Sequence, residues 1–191
     1  MDAKKRQESL AGLEIQTKKL SDLISNILKL NKLENQKTVP EMESIDLSEL
    51  LRLCALSFEN LFEKKNIGLE CDIDEVKIVG SASLLEMVFN NLISNAIKFT
   101  DEGGKISISL KQEKKNVIVK VKDTGCGISQ EVGSRIFDKF YQADTSHSAE
   151  GNGLGLALVK KVIDVIGGEI SVESKVGEGS SFIIKLKKEN A

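Results

Sequence analysis

Apolar residues recur at helical spacing along the first thirty or so positions. Leu10, Leu13, Leu20, Ile24 and Ile27 fall at alternating steps of three and four, with Thr17 and Asn31 in the remaining heptad places. Leu23, Leu28 and Leu30 widen the stripe. One long helix is expected from about Lys5 to Leu33. A stripe this wide suits a helical bundle better than a two-stranded seam. Nothing else in the segment covers it, which points to bundle or intermolecular packing.

The polar stretch Asn35 to Ser44 holds the only proline, Pro40, and reads as a linker. It divides a helical unit, 1–34, from a second unit, 45–191. A helix opens there: Asp46 is a good N-cap, and Glu49 three residues later completes a capping box. Leu47, Leu50, Leu51, Cys54, Phe58 and Leu61 supply its buried side. Short strand patterns follow at Gly68 to Ile73 and Lys77 to Val79, then a strong helix from about Ser83 to Phe99. Strict alternation marks Lys105 to Gln112 (Ile106, Ile108, Leu110) and Asn116 to Lys122 (Val117, Val119, Val121) as a strand pair across the turn Glu113-Lys114-Lys115. An irregular region, 123–152, precedes a helix from Gly153 to Ile166 that Gly167-Gly168 ends. Two last strands, Glu169 to Ser174 and Ser180 to Lys187, flank a glycine-containing turn. Helices and strands mix without strict alternation, so the expected class is α+β, with helices layered on one face of a mixed sheet.

Composition narrows the chemistry. The 191 residues carry 27 Lys+Arg against 29 Asp+Glu, a net charge of −2, which gives no electrostatic case for nucleic acid or anionic membrane. No apolar run approaches the roughly 18 residues that span a bilayer. Three widely spaced cysteines, Cys54, Cys71 and Cys126, form no CxxC pair and read as reduced thiols of a cytosolic protein. The single histidine, His147, excludes multi-histidine metal sites. Trp is absent and Tyr141 is the only tyrosine, which leaves little for stacking on single-stranded nucleic acid.

Three features carry candidate chemistry. On the helix Ser83 to Phe99, Asn91, Asn95 and Lys98 lie within about 60° of one another at 100° per residue. Leu85, Val88, Phe89, Leu92, Ile93 and Ala96 occupy the other side. Amide oxygens are neutral hard ligands for Mg²⁺, and a lysine is a point charge for phosphate. Asp123 continues the inward parity of Val117, Val119 and Val121, so its carboxylate ends a strand pointing into the protein and needs a donor. An adenine amino group is one such donor. The glycines of Thr124-Gly125-Cys126-Gly127-Ile128 allow a flat ligand to approach the backbone. Third, Gly151-Asn152-Gly153-Leu154-Gly155-Leu156 runs into a helix, whose free amides suit phosphate. The polar segment before it, 138–150, has the composition of a mobile lid. Each feature alone has an ordinary structural explanation: a solvated polar edge, an Asp-Gly turn, a glycine-rich loop.

Their order is more specific. Asn91-Leu92-Ile93-Ser94-Asn95-Ala96-Ile97-Lys98-Phe99-Thr100 resembles the asparagine motif of bacterial sensor histidine kinases. Asp123 to Ile128 resembles their first glycine motif, Ile136-Phe137-Asp138-Lys139-Phe140-Tyr141 their phenylalanine motif, 151–158 the second glycine motif, and Gly177-Glu178-Gly179-Ser180-Ser181-Phe182 the last. The resemblance implies a two-layer α/β sandwich of the Bergerat type, shared with DNA gyrase and Hsp90-type chaperones. It also implies roles. Asp123 hydrogen-bonds adenine, and Gly127 and Ile128 line its pocket. Asn95 with Asn91 holds Mg²⁺, and Lys98 contacts phosphate. Gly153 and Gly155 close over the phosphates, Ser180 supports Asp123 through water, and Phe137 and Phe140 anchor the lid. Phe99, Gly125, Tyr141, Gly151, Leu154 and Leu156 complete the nucleotide-binding set, with ATP and Mg²⁺ as cofactors.

Asn91 stands where the gyrase-type ATPases of this superfamily carry a water-activating glutamate. An amide is no base at neutral pH, which favours transfer to a protein over hydrolysis. The resemblance makes Lys5 to Leu33 the second helix of a dimerisation hairpin. The phosphoacceptor histidine would sit on a preceding helix, and no histidine precedes residue 147. The expectation is therefore a fragment of a cytoplasmic kinase. Its partners would be that histidine helix and a response-regulator receiver domain, not nucleic acid or membrane. Whether the parent is anchored to the inner membrane is open. A nucleotide-holding scaffold without phosphotransfer and a same-fold ATPase are the alternatives.

Overall fold

A computed structural model describes residues 3–35, 42–142 and 152–188. The first helix, α1 (Ala3–Asn35), is one continuous element, slightly longer than the heptad pattern predicts. Strand β1 (Glu43–Asp46) follows where the sequence suggests the end of a linker. It pairs antiparallel with β3 (Lys77–Gly80), a partner more than thirty residues away that no local pattern announces. Helix α2 (Leu47–Leu56) is capped as expected, the Asp46 carboxylate accepting from the Glu49 amide. It ends earlier than predicted, and a separate short helix, α3 (Glu59–Lys64), begins after Phe58. The break shifts the helical phase, so Phe62 is buried and the predicted Leu61 is exposed.

The main sheet has five strands. With β2 (Gly68–Ile73), β4 (Lys105–Glu113), β5 (Asn116–Asp123), β6 (Glu169–Lys175) and β7 (Gly179–Lys187), its order is β2-β4-β5-β7-β6. Only the β2–β4 pair is parallel. The alternating set Ile106, Ile108, Leu110, Val117, Val119 and Val121 is at most 1% exposed. Ile184 and Leu186 of β7 join it. Against this face pack α4 (Ala82–Phe99) and α6 (Gly155–Val165), with α2 lying against α4. Every predicted core position of α4, from Leu85 to Ala96, is buried. Such a one-sided apolar face is what fixes the rotation of the helix about its axis. A single turn of helix, α5 (Gln130–Gly133), completes the described elements. The architecture is the expected α+β sandwich of helices on one face of a mixed sheet.

Candidate functional site

With its apolar side fixed on the sheet, α4 presents its polar strip to a cleft of about 750 Å³, a size typical of small-molecule sites. Asn91, Asn95, Lys98 and Phe99 line it from α4, and Asp123, Gly127 and Ile128 from the end of β5 and the loop after it. Tyr141, Gly153, Gly155, Leu156 and Ser180 also line it. The sequence-predicted residues are thus largely gathered in one place, though they are spread over ninety positions of chain.

Asp123 is 4% exposed. Two backbone amides stabilise its carboxylate: Gly125 N donates to Oδ1 at 2.9 Å and Ser180 N donates to the same oxygen at 3.2 Å. Both donors converge on Oδ1. Burial nonetheless outweighs those donors and raises the pKa above the ordinary carboxylate value. Gly125 therefore sits behind the carboxylate and is not among the residues that line the cleft. A Cβ there would lie 2.2 Å from the Phe99 carbonyl oxygen, which is why the position is glycine. Ser180 supports Asp123 through its backbone amide, and its hydroxyl lies 3.0 Å from that of Ser174. Ser174 donates to the Gly179 carbonyl and accepts from the Ile128 amide, so it ties the loop after β5 to the β6–β7 turn. Sequence reasoning passed over Ser174 because nothing local distinguishes it from other strand serines.

On α4, the Asn91 amide nitrogen donates to the Met87 carbonyl at 2.7 Å. That orients the side chain so that Oδ1 faces Gly155, whose Cβ, if present, would sit 2.8 Å from it. A neutral amide oxygen held in a glycine-lined cradle fits a hard divalent cation whose other ligands are phosphate and water. Among the described residues no cluster of three His, Cys, Asp or Glu could hold a metal without such help. The Lys98 ammonium lies 4.6 Å from the centre of the Phe99 ring.

The N-cap position of α6 is Leu154, which makes no side-chain cap, so the first-turn amides lack the acceptor a Ser or Asp would supply. Leu154 itself is fully buried. Its amide is held by the Asn152 side chain at 3.0 Å. Its side chain belongs to the core. Gly151, His147 and the rest of 143–151 lie outside the described residues. Phe137 packs against the core, whereas Phe140 is 62% exposed. The Arg135 guanidinium covers the Tyr141 ring, 4.4 Å from its centre.

Sequence reasoning also missed one whole wall. Asp22, Ser25, Asn26 and Lys29 of α1 line the same cleft. The helix is seated by Leu30 and Leu33, both buried, and by an ion pair between Glu34 and Lys139 at 2.6 Å. The three cysteines are free. Burial pushes the Cys54 thiol up to about 11, and it also raises that of Cys126 on the cleft wall.

A mixed sheet layered by helices, with a cleft between one helix and the end of an inner strand, defines the two-layer class of ATP-binding domain. Residues 80–190 match the model of the histidine kinase-, DNA gyrase B- and HSP90-like ATPases, and the chain belongs to that family. Sensor histidine kinase RppB of Synechocystis sp. is 35% identical over 93% of this chain, which spans 40% of that protein. The catalytic domain of histidine kinase ThkA superposes with a TM-score of 0.70 at 32% identity, over 78% of this chain and 96% of that one. ThkA in complex with response regulator protein TrrA gives 0.75 at 28% identity, covering 91% of this chain and 49% of that one. Full-length ShkA in complex with AMPPNP gives 0.83 at 25% identity, covering all of this chain and 41% of that one. The domain is of the catalytic ATP-binding type found in sensor histidine kinases.

Proposed function

We propose that this chain binds Mg-ATP in the cleft and serves a protein-histidine kinase that passes the γ-phosphate to a histidine on a dimerisation helix, for relay to a response-regulator aspartate. One observation carries the reading. The asparagine strip of α4 and the buried Asp123 carboxylate line a single nucleotide-sized cleft, with the uncapped N-terminus of α6 beside the strip. The ShkA–AMPPNP and ThkA–TrrA structures support nucleotide and receiver-domain partners by similarity.

In this reading Asp123 Oδ2 accepts from the adenine amino group while Gly125 and Ser180 hold Oδ1. Gly127 and Ile128 flank the base. Asn91 and Asn95 offer amide oxygens to Mg²⁺, which when bound neutralises phosphate charge. Lys98 and the first-turn amides of Gly155 and Leu156 hold phosphate oxygens. None of these groups extracts a proton from water. Asn91 in particular has no basic lone pair and spends its N–H on Met87. The site positions and neutralises, and the nucleophile comes from outside the cleft. The division 1–34, dimerisation helix, and 45–191, catalytic domain, belongs to the same proposal.

Titration calorimetry with a nonhydrolysable ATP analogue, with and without Mg²⁺, tests binding. Unchanged affinity after Asp123→Asn combined with Asn95→Ala would sink the site assignment. Supplying a histidine-bearing dimerisation helix with labelled ATP tests transfer. Steady ATP turnover with no labelled helix would point to an ATPase instead.

A further inference from the structure

The C-terminal turn of α4 carries two cleft-lining residues, Lys98 and Phe99, and helix ends have a hydrogen-bonding deficit. The last four carbonyls have no partner within the helix. Here Ala96 is served by Thr100, whose amide and hydroxyl reach its carbonyl at 3.0 and 2.6 Å. The Phe99 carbonyl faces the backbone of Gly125. The rest falls to one side chain more than thirty residues earlier in the chain. The half-buried Lys65 places its ammonium 2.8 Å from the Ile97 carbonyl, 3.3 Å from that of Lys98 and 2.8 Å from that of Thr100.

An ammonium has three protons and no acceptor, and all three find a carbonyl. A cation at this end also faces the negative pole of the helix. Lys65 is itself anchored. Its amide donates to Leu61 O at the end of α3, and its carbonyl accepts from Gly103 N in the turn after α4. The next core residue, Ile67, is buried. The ammonium therefore ties the last turn of α4 to a fixed point that is not part of the cleft lining.

We infer that Lys65 is a positioning residue for the phosphate end of the nucleotide site, acting through the Ile97–Thr100 turn on Lys98. It does not line the cleft. Without it, two α4 carbonyls and that of Thr100 must find water, and the turn that aims Lys98 loses its clamp. The Asp123 end should be much less affected, because Asp123 is held by Gly125 and Ser180, and the one carbonyl of the turn that faces Gly125, that of Phe99, is not bonded by Lys65. This rests on the nucleotide reading above and assigns it a residue outside the motifs.

The test measures ATP and adenosine affinity of the whole chain, by calorimetry and by NMR titration, for wild type, Lys65→Met, Lys98→Met and the double variant. A displaced contact group costs a factor of ten or more, so Lys65→Met should weaken ATP about tenfold and leave adenosine within about twofold. In the Lys98→Met background the same change should add little. Equal loss for both ligands, no loss for either, or a full further loss beside Lys98→Met overturns the inference. Circular dichroism and melting check that each variant is folded. Should Lys65→Met not fold, Lys65→Arg decides: it keeps the charge but replaces convergent donors by a planar fork. A smaller loss confined to ATP supports the clamp, and unaltered or unselective binding overturns it. If wild type binds ATP and Lys65→Met matches it, Lys65 alone is misassigned; if wild type binds no nucleotide, the whole reading falls and the inference with it.

Discussion

The two longest helices, α1 and α4, are both amphipathic by sequence, and their apolar faces meet opposite fates. On α4, Leu85, Val88, Phe89, Leu92 and Ile93 are at most 1% exposed. On α1, Leu10, Leu13, Leu20, Ile24 and Leu28 are 50–63% exposed; among the described side chains Leu30 and Leu33 are buried in the core and Leu23 packs partly against it. The polar faces invert the pattern of use. That of α4 forms one wall of the cleft, and that of α1, through Asp22, Ser25, Asn26 and Lys29, forms another. A helix whose apolar face is satisfied at home can present chemistry with a fixed rotation. A helix whose apolar face is open has its rotation set only where it docks. An exposed stripe of this length on a 33-residue helix is a surface that calls for a partner.

The contrast can be broken most sharply through stability. Phe89→Ala, in the fully buried face of α4, should cost about 3–5 kcal/mol. Leu20→Ala, on the open face of α1, should change stability by no more than about 0.5 kcal/mol. Urea unfolding of each variant decides; comparable losses would mean that the α1 stripe is covered in solution.

The next effect sharpens the comparison of polar faces. Asn95→Ala on α4 should weaken Mg-ATP binding by about 10–100-fold, the usual range for a disturbed metal site, and the deficit should vanish when Mg²⁺ is chelated. Asn26→Ala on α1 lines the same cleft but supplies no ligand in the proposed arrangement, so affinity should stay within about threefold. A large Asn26 effect would make α1 part of the nucleotide site.

A smaller, pH-dependent effect comes from Asp123. Burial raises its folded pKa above the ordinary carboxylate value. At this site the folded protein therefore binds a proton more readily than the unfolded chain. The contribution of Asp123 to stability without nucleotide thus rises slightly as pH falls through the window between its two pKa values, opposite in sign to the contributions of Glu34, Asp46 and Asp74. Nucleotide affinity should move the other way, because protonation removes the acceptor for the adenine amino group. Calorimetry tests the affinity, and the difference between wild-type and Asp123→Asn thermal melts across mildly acidic pH tests the stability term; Asp123→Asn should flatten the affinity curve. Parallel trends would contradict the assigned role.

What the sequence revealed follows from range. The α4 strip was legible because helical periodicity separates Asn91, Asn95 and Lys98 from six buried neighbours. Asp123 was legible because strand parity carries past Val121 into the next inward position. Both are local periodicities. The pairing of β1 with β3, the Lys65 clamp and the α1 wall of the cleft depend on contacts between segments tens of residues apart, which no window of sequence contains. The burial of Leu154 was hidden for a related reason: its glycine neighbours look like a phosphate loop, and only the fold turns its side chain into the core. Phe62 replaced Leu61 because the turn at Ser57 and Phe58 reset the helical phase.

The smallest effect concerns what holds α1 where it is. Two interactions seat its C-terminal end: the apolar contact of Leu30 and Leu33, and the Glu34–Lys139 ion pair. The ion pair is well formed, and the lysine holds the Glu34 carboxyl below its ordinary pKa. Both side chains are nonetheless open to solvent, at 37% and 50%. Exposed pairs are screened by salt and cost side-chain freedom to hold. Buried leucines face no such competition. Glu34→Gln should therefore leave amide exchange across residues 28–35 unchanged, at low salt and at high salt alike, whereas Leu33→Ala should accelerate it. Faster exchange in Glu34→Gln at low salt alone would show that charge, not apolar contact, docks the helix. The rotation of α1 at the cleft would then be tunable by ionic strength in a way that the rotation of α4 is not.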